Sequence, residues 1–200
     1  MLFSDTANFT SVSEGLGPAE LMAWLNRGMA ICVPAVTQRD GMVNKFTGDG
    51  MLAVFGVPLS QDHAQDALAA LEAAKEIQRG LTELNKALAA EGAPAMRMRI
   101  GMHSGMVLAG SMGSAERLEY AVIGDTVNCA SRLESLDKSR HDGVLRVLVS
   151  GQTLTLLPGS IRDSLDLDHW GPIQVKGRDE PLDVYELRMH TPPEAAPATD

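Results

Sequence analysis

Two aspartates close apolar runs about forty residues apart. Asp5 stands in Leu2-Phe3-Ser4-Asp5-Thr6-Ala7-Asn8-Phe9-Thr10. Asp49 stands in Lys45-Phe46-Thr47-Gly48-Asp49-Gly50-Met51-Leu52-Ala53-Val54-Phe55-Gly56. An acid at the tip of a strand is poor core material and good cation-binding material. Two such acids on neighbouring strands can hold a pair of divalent cations over a triphosphate. Gly48 and Gly50 leave room for backbone beside such a group. Taken alone, Asp49 is ordinary turn chemistry; paired with Asp5 it points to a metal site. Asn128 and Arg132 lie in Ile123-Gly124-Asp125-Thr126-Val127-Asn128-Cys129-Ala130-Ser131-Arg132, one helical turn apart. They are either a solvated polar stripe or a ribose-binding amide with a phosphate-neutralising guanidinium.

Three further residues have two readings each. Lys45 is an edge lysine on an apolar strand, or a donor to a purine ring nitrogen or carbonyl. Lys176 precedes Gly177 in a turn and is a solvated charge or a phosphate ligand. His103 ends a strand and is read as structural rather than catalytic.

The elements that must position these residues follow from periodicity. Met1 to Ser4 is expected as a short buried strand. Pro18 opens a helix whose apolar positions Leu21, Met22, Leu25, Met29 and Cys32 recur at helical spacing; Asp40-Gly41 ends it. Met42 to Phe46 and Met51 to Phe55 form a hairpin about Thr47-Gly48-Asp49-Gly50. A long amphipathic helix runs from Asp62 to Ala90. Met96 to His103 alternates as a half-buried strand, and Met106 to Ala109 and Glu119 to Ile123 follow as strands. Asp125 is expected to cap a helix that runs to about Leu136. Val144 to Ser150 is a strand and Thr153 to Leu157 a short helix. Ile173 to Val175 and Leu182 to Leu187 form a last strand pair. The order predicts an α+β fold, a mixed sheet with packed helices in the ferredoxin-like βαββαβ style, with a C-terminal β extension.

Composition narrows the function classes. The chain has 200 residues, 44% of them hydrophobic, and a net charge of −9. That charge disfavours broad binding to nucleic acid or anionic membrane, and the 4% aromatic content disfavours an RNA-stacking sheet. No run of eighteen apolar residues exists to span a membrane. The two cysteines, Cys32 and Cys129, are read as small buried hydrophobes in a reducing compartment. Residues 191–200, rich in Pro and Ala, are expected as a disordered tail. Residues 1–190 are expected as one catalytic domain, cut from a longer protein with a regulatory part upstream.

These motifs in this order resemble the class III adenylyl/guanylyl cyclase catalytic domain, over Leu2 to Leu187. The segments are Leu-Phe-Ser-Asp-x-x-x-Phe-Thr, Lys-Phe-Thr-Gly-Asp-Gly-Met-Leu-Ala-Val-Phe-Gly, Arg-Ile-Gly-Met-His-Ser-Gly and Ile-Gly-Asp-Thr-Val-Asn-Cys-Ala-Ser-Arg-Leu-Glu. A late Val-Lys-Gly and Pro-Leu-Asp-Val-Tyr-Glu-Leu complete the set. The resemblance implies a polymerase-palm-like sheet and a head-to-tail homodimer with active sites at the interface. It implies two divalent metal ions, Mg²⁺ or Mn²⁺, on Asp5, Asp49 and the Thr6 carbonyl. Asn128 would orient the ribose, Arg132 stabilise the transition state, and Lys176 contact the terminal phosphates. Lys45 and Ala121 would occupy the base-selecting positions. Lys45 resembles the adenylyl members, so the implied reaction is ATP to 3′,5′-cyclic AMP and pyrophosphate, in the cytoplasm. Two departures stand out. Ala121 replaces a usual Asp or Thr and has no polar group for the base, which predicts relaxed selectivity for ATP over GTP. Thr6 replaces a common isoleucine, tolerable where only the carbonyl serves.

Overall fold

The computed structural model describes residues 1–60, 62–141, 143–175 and 180–189. The elements run β1 (Leu2–Thr6), α1 (Phe9–Gly15), α2 (Pro18–Thr37), β2 (Met42–Phe46), β3 (Met51–Val54) and α3 (His63–Ala90). They continue with β4 (Met98–Met102), β5 (Leu108–Ser114), β6 (Arg117–Ile123), α4 (Asp125–Ser135) and β7 (Leu145–Ser150). The chain closes with α5 (Gly151–Leu156), α6 (Gly159–Arg162), β8 (Leu167–Ile173) and β9 (Leu182–Leu187).

Seven strands form one mixed sheet in the order β2-β3-β1-β4-β7-β9-β8. β1 is antiparallel to both β3 and β4, while β4 and β7 run parallel. Side chains of a strand alternate between faces, and here the alternation sorts the two halves of the protein. Leu2, Met98, Ile100, Met102, Val147 and Val149 face one layer, packed under α2 and α3 with Cys32, Leu71 and Ile77. Burying each such aliphatic side chain stabilises the fold by roughly 1.5–3 kcal/mol. The intervening residues Asp5, Arg99, Gly101, Arg146 and Leu148 face the other layer, where Cys129 and Leu133 of α4 close a smaller core over Leu148, Leu182 and Val184.

Gly101 sets how closely α4 lies on that face. A Cβ there would stand 2.0 Å from the Ala130 carbonyl oxygen and 2.3 Å from the Glu134 nitrogen. α3 is secured at its start by Asp62, whose Oδ1 accepts from the amides of Ala64 (2.8 Å) and Gln65 (3.3 Å). Burial pushes the Cys32 thiol up to about 12, and both cysteines are fully buried, as small apolar fillers.

Several local expectations shift. α1 was not foreseen, because Thr, Val, Ser and Gly are weak helix formers. Asp125 is the first residue of α4 rather than its cap; Gly124 holds the cap position, and Asp125 Oδ2 accepts from Cys129 Sγ at 3.5 Å. β5 and β6 extend well past the expected runs into a separate two-stranded sheet. Their Gly- and Ser-rich tip, Gly110-Ser111-Met112-Gly113-Ser114, reads as loop. The last strand pair uses Leu167–Ile173, with a register shift between His169 and Gly171, instead of Ile173–Val175. Lys176 and the expected tail at 191–200 lie outside the described residues.

Candidate active site

Asp5 is the penultimate residue of β1, on the α4 face, and Asp49 sits in the turn between β2 and β3. One contact closes that turn and two bind it to β1. Thr47 donates its amide to the Gly50 carbonyl at 2.9 Å. Thr6 Oγ1 donates to the Asp49 carbonyl at 2.7 Å. Ser4 Oγ accepts from the Met51 amide at 3.1 Å. Gly50 is packed directly on β1, since a Cβ there would stand 1.9 Å from the Ser4 carbonyl oxygen. The result is two carboxylates held side by side. Burial, then the nearby charge of Asp5, pushes the Asp49 carboxyl above its ordinary range. An ionised pair so placed is unfavourable until a cation lies between its members. The donor set therefore fits hard divalent ions. Among the described residues no group of three or more His, Cys, Asp or Glu side chains could hold a metal. Further ligands at Asp5 and Asp49 must come from backbone, phosphate oxygens or water.

Asp5 is also braced from behind. Arg99, opposite it in the β1–β4 ladder, donates Nη2 to Asp5 Oδ2 at 2.6 Å and Nε to Glu134 Oε1 at 2.8 Å. The side chains of Arg99 and Glu134 are each 4% exposed. Burial pushes the Glu134 carboxyl up, and the bond from Arg99 opposes it. Lys138 Nζ stands 3.6 Å from the same Asp5 oxygen. Sequence reading missed Arg99, Glu134 and Lys138. An arginine inside an otherwise apolar strand was the available signal; its partner needed the register.

The other expected residues form a second group. Lys45 is exposed on β2, and Ala121 is buried on β6. Asn44 joins their strands by donating Nδ2 to the Tyr120 carbonyl at 2.7 Å. The Glu119 carboxyl is held low by Arg117 first and by the charge of Lys45 after it. Asn128 is exposed and Arg132 half-buried, one turn apart on α4. Thr126 ties the start of that helix to the hairpin by donating to the Met106 carbonyl at 2.7 Å. Among the described residues no hydrogen bond or ion pair joins Asp5 or Asp49 to Lys45, Asn128 or Arg132. His103 is buried with Nδ1 2.8 Å from Ser150 Oγ, in keeping with a structural role.

Comparisons with known proteins bear on the family and the fold. A family model described as the adenylate and guanylate cyclase catalytic domain matches residues 1–189. The chain is 35% identical to "Adenylate cyclase 1" of Rhizobium meliloti (strain 1021), over 93% of its length and 27% of that protein's. It is 32% identical to an adenylate cyclase of Anabaena cylindrica, over 94% of its length and 36% of that protein's. It therefore spans about a third or less of these relatives. Among solved structures, the adenylyl cyclase CyaB from P. aeruginosa superposes with a TM-score of 0.83 at 30% identity, covering 96% of this chain and 93% of that one. The guanylyl cyclase Cya2 gives 0.80 at 32% identity, covering 97% and 93%. Class III cyclases are dimeric and divalent-metal dependent. The chain belongs to the adenylate and guanylate cyclase catalytic-domain family.

Proposed function

We propose that the chain is an adenylate cyclase domain that converts ATP to 3′,5′-cyclic AMP and pyrophosphate in a head-to-tail homodimer. The observation that carries the reading is the Asp49 turn packed on β1 beside Asp5, with Asp5 braced by Arg99. Two divalent cations, when bound there, would supply Lewis acidity toward the 3′-hydroxyl and the phosphates. The residues of the chain have distinct tasks. Asp5, Asp49 and the Thr6 carbonyl hold the cations. Arg132 neutralises charge that grows on the α-phosphate, and Asn128 hydrogen-bonds the ribose. Lys176 meets the terminal phosphates.

The reaction needs both groups of residues at one substrate. Among the described residues no hydrogen bond or ion pair joins Asp5 or Asp49 to Lys45, Asn128 or Arg132, which is in keeping with a site shared between two copies. So are the exposed side chains of the β5–β6 hairpin: Met106 is 91% exposed, Leu108 73% and Leu118 68%. Apolar surface of that kind is the material of an interface. The much greater length of the relatives supports a regulatory part elsewhere in the full protein. Among the described residues no helix is long and apolar enough to cross a membrane.

The choice of base rests on Lys45. A lysine donates only, which suits the N1 acceptor of adenine and opposes the N1–H donor of guanine. Ala121 adds no polar contact, and Cya2 is nearly as similar as CyaB, so a relaxed cyclase that also turns over GTP is the second reading. The test is incubation with ATP or GTP and Mg²⁺ or Mn²⁺, with quantification of both cyclic nucleotides. Cyclic AMP in excess, rising faster than linearly with protein, supports the proposal. GTP turnover equal to or above ATP turnover overturns the base assignment, and no product under any condition overturns the activity.

A further inference from the structure

Beyond its C-terminal residue Ser135, α4 runs into a loop, 136–140, that is held far more firmly than its polar sequence suggests. Arg146, on β7 directly beside Arg99 of β4, is 1% exposed. Its guanidinium is spent on that loop. Nη1 donates to the carbonyls of Asp137 (2.6 Å) and Arg140 (2.7 Å), and Nη2 to those of Glu134 (3.1 Å) and Leu136 (2.7 Å). These include the carbonyls a helix end leaves without partners. Asp137 turns the chain in a left-handed conformation, φ 39°, and its Oδ1 accepts from Ser139 Oγ at 2.6 Å. Trp170 lies against the guanidinium carbons of Arg140 and Arg146, with its centroid 4.4 and 5.8 Å away. A non-glycine residue at positive φ persists when its surroundings over-determine it, and here they do. The product of this clamp is the placement of Lys138, whose ammonium stands at Asp5 Oδ2, the oxygen Arg99 already holds.

We propose that Lys138 is a built-in counter-ion that sets the affinity of the Asp5–Asp49 pair for divalent cations, and that Arg146 positions it. The inference rests on the reading of Asp5 and Asp49 as metal ligands. Two cations converge on one carboxylate oxygen. Arg99 is buried and doubly bonded, so it stays. Lys138 is 55% exposed on a flexible stem, so it is the one that yields when a divalent ion arrives. A cation that must leave lowers the affinity of the one that replaces it. An ion pair this exposed is modest in strength, which places the effect at about two- to fivefold in the dissociation constant.

The test titrates the metal-free 200-residue chain with Mn²⁺ alone and follows free Mn²⁺ by electron paramagnetic resonance. Wild type, Lys138→Gln, Lys138→Arg and Asp49→Asn are compared. Lys138→Gln is expected to bind Mn²⁺ about two- to fivefold tighter, with the advantage shrinking at about 0.5 M salt. Lys138→Arg keeps the wild-type value. Asp49→Asn loses the binding. Equal or weaker binding by Lys138→Gln, with Asp49→Asn still defective, overturns the counter-ion and leaves the metal site standing. Unchanged binding by Asp49→Asn overturns the metal site itself. The role of Arg146 is read from Arg146→Lys, which gives up most of the carbonyl contacts. It should tighten binding as Lys138→Gln does, and the double variant should bind no tighter than Lys138→Gln. Additive shifts would remove Arg146 from the device; should Arg146→Lys not fold, the two Lys138 variants still decide the proposal.

Discussion

Arg99 faces Asp5 across the β1–β4 ladder and binds it at 2.6 Å while its Nε binds Glu134 of α4 at 2.8 Å. One guanidinium therefore joins the sheet, the helix and a proposed metal ligand. Removing Glu134 leaves the buried guanidinium with Asp5 alone, at a cost of up to about 3–5 kcal/mol. Glu134→Ala should lower stability by that order in urea unfolding. Glu134→Gln should lose far less, under about 1.5 kcal/mol, because it keeps an acceptor for Arg99 and burial already disfavours the ionised acid. Equal losses in the two variants would mean that the negative charge, which both remove, and not the acceptor or packing that glutamine keeps, is what Glu134 supplies.

Asp49→Asn should separate stability from activity. The folded-state pKa of Asp49 is raised above its ordinary value of 3.8. A raised carboxyl binds its proton more tightly in the folded state, so its ionised form destabilises the fold at pH above the folded pKa. That penalty fades as the pH falls through the folded value and is gone below the ordinary one. Metal-free Asp49→Asn should thus melt higher than wild type at neutral pH, and the difference should vanish on acidification toward pH 3.8. Its cyclase turnover should fall by at least about a hundredfold. A variant that melts lower at neutral pH would show that the aspartate pair is not under electrostatic strain.

How much of this was legible in the sequence divides along physical lines. Strands and helices with strong periodicity, such as α3 and β7, appeared near their observed bounds. So did the turn bearing Asp49, because glycine and aspartate in a hairpin have few other uses. The brace around Asp5 did not appear. Arg99, Glu134 and Arg146 become partners only through register and through α4 lying close on Gly101, and neither is a local property of the chain. The β5–β6 arm was under-read for a different reason: its exposed faces carry no alternation toward a core of its own.

Gly101→Ala tests the close approach of α4 to the sheet. Its Cβ would meet backbone at 2.0 and 2.3 Å, and backbone cannot turn aside as a side chain can. The helix must lift, which should cost about 1–3 kcal/mol in the manner of an overpacked core. Glu134 moves with the helix, so Arg99 should hold Asp5 less firmly. Chemical denaturation should show the lower stability, and cyclase assays should show a fall in turnover larger than the change in the Michaelis constant for ATP. A stable variant with unchanged kinetics would mean that α4 has slack on this face.

Ala121→Asp addresses base choice. Ala121 is 7% exposed on β6, on a strand that Asn44 ties to the strand of Lys45. A carboxylate accepts only, so at the proposed purine edge it would take a hydrogen bond from the adenine amino group and oppose the guanine carbonyl. On the proposed reading Lys45 alone meets adenine through one ring nitrogen, and guanine offers a carbonyl that a lysine can also meet. A second polar contact, made to the adenine amino group and unmatched in GTP, should improve discrimination by about 1–2 kcal/mol. The ratio of kcat/KM for ATP over GTP is then expected to rise about tenfold. The gain should appear with Lys45 intact and shrink in a Lys45→Ala, Ala121→Asp double variant, because the two contacts must grip the same base. If the ratio rises equally without Lys45, the lysine is an exposed edge residue that does not touch the base.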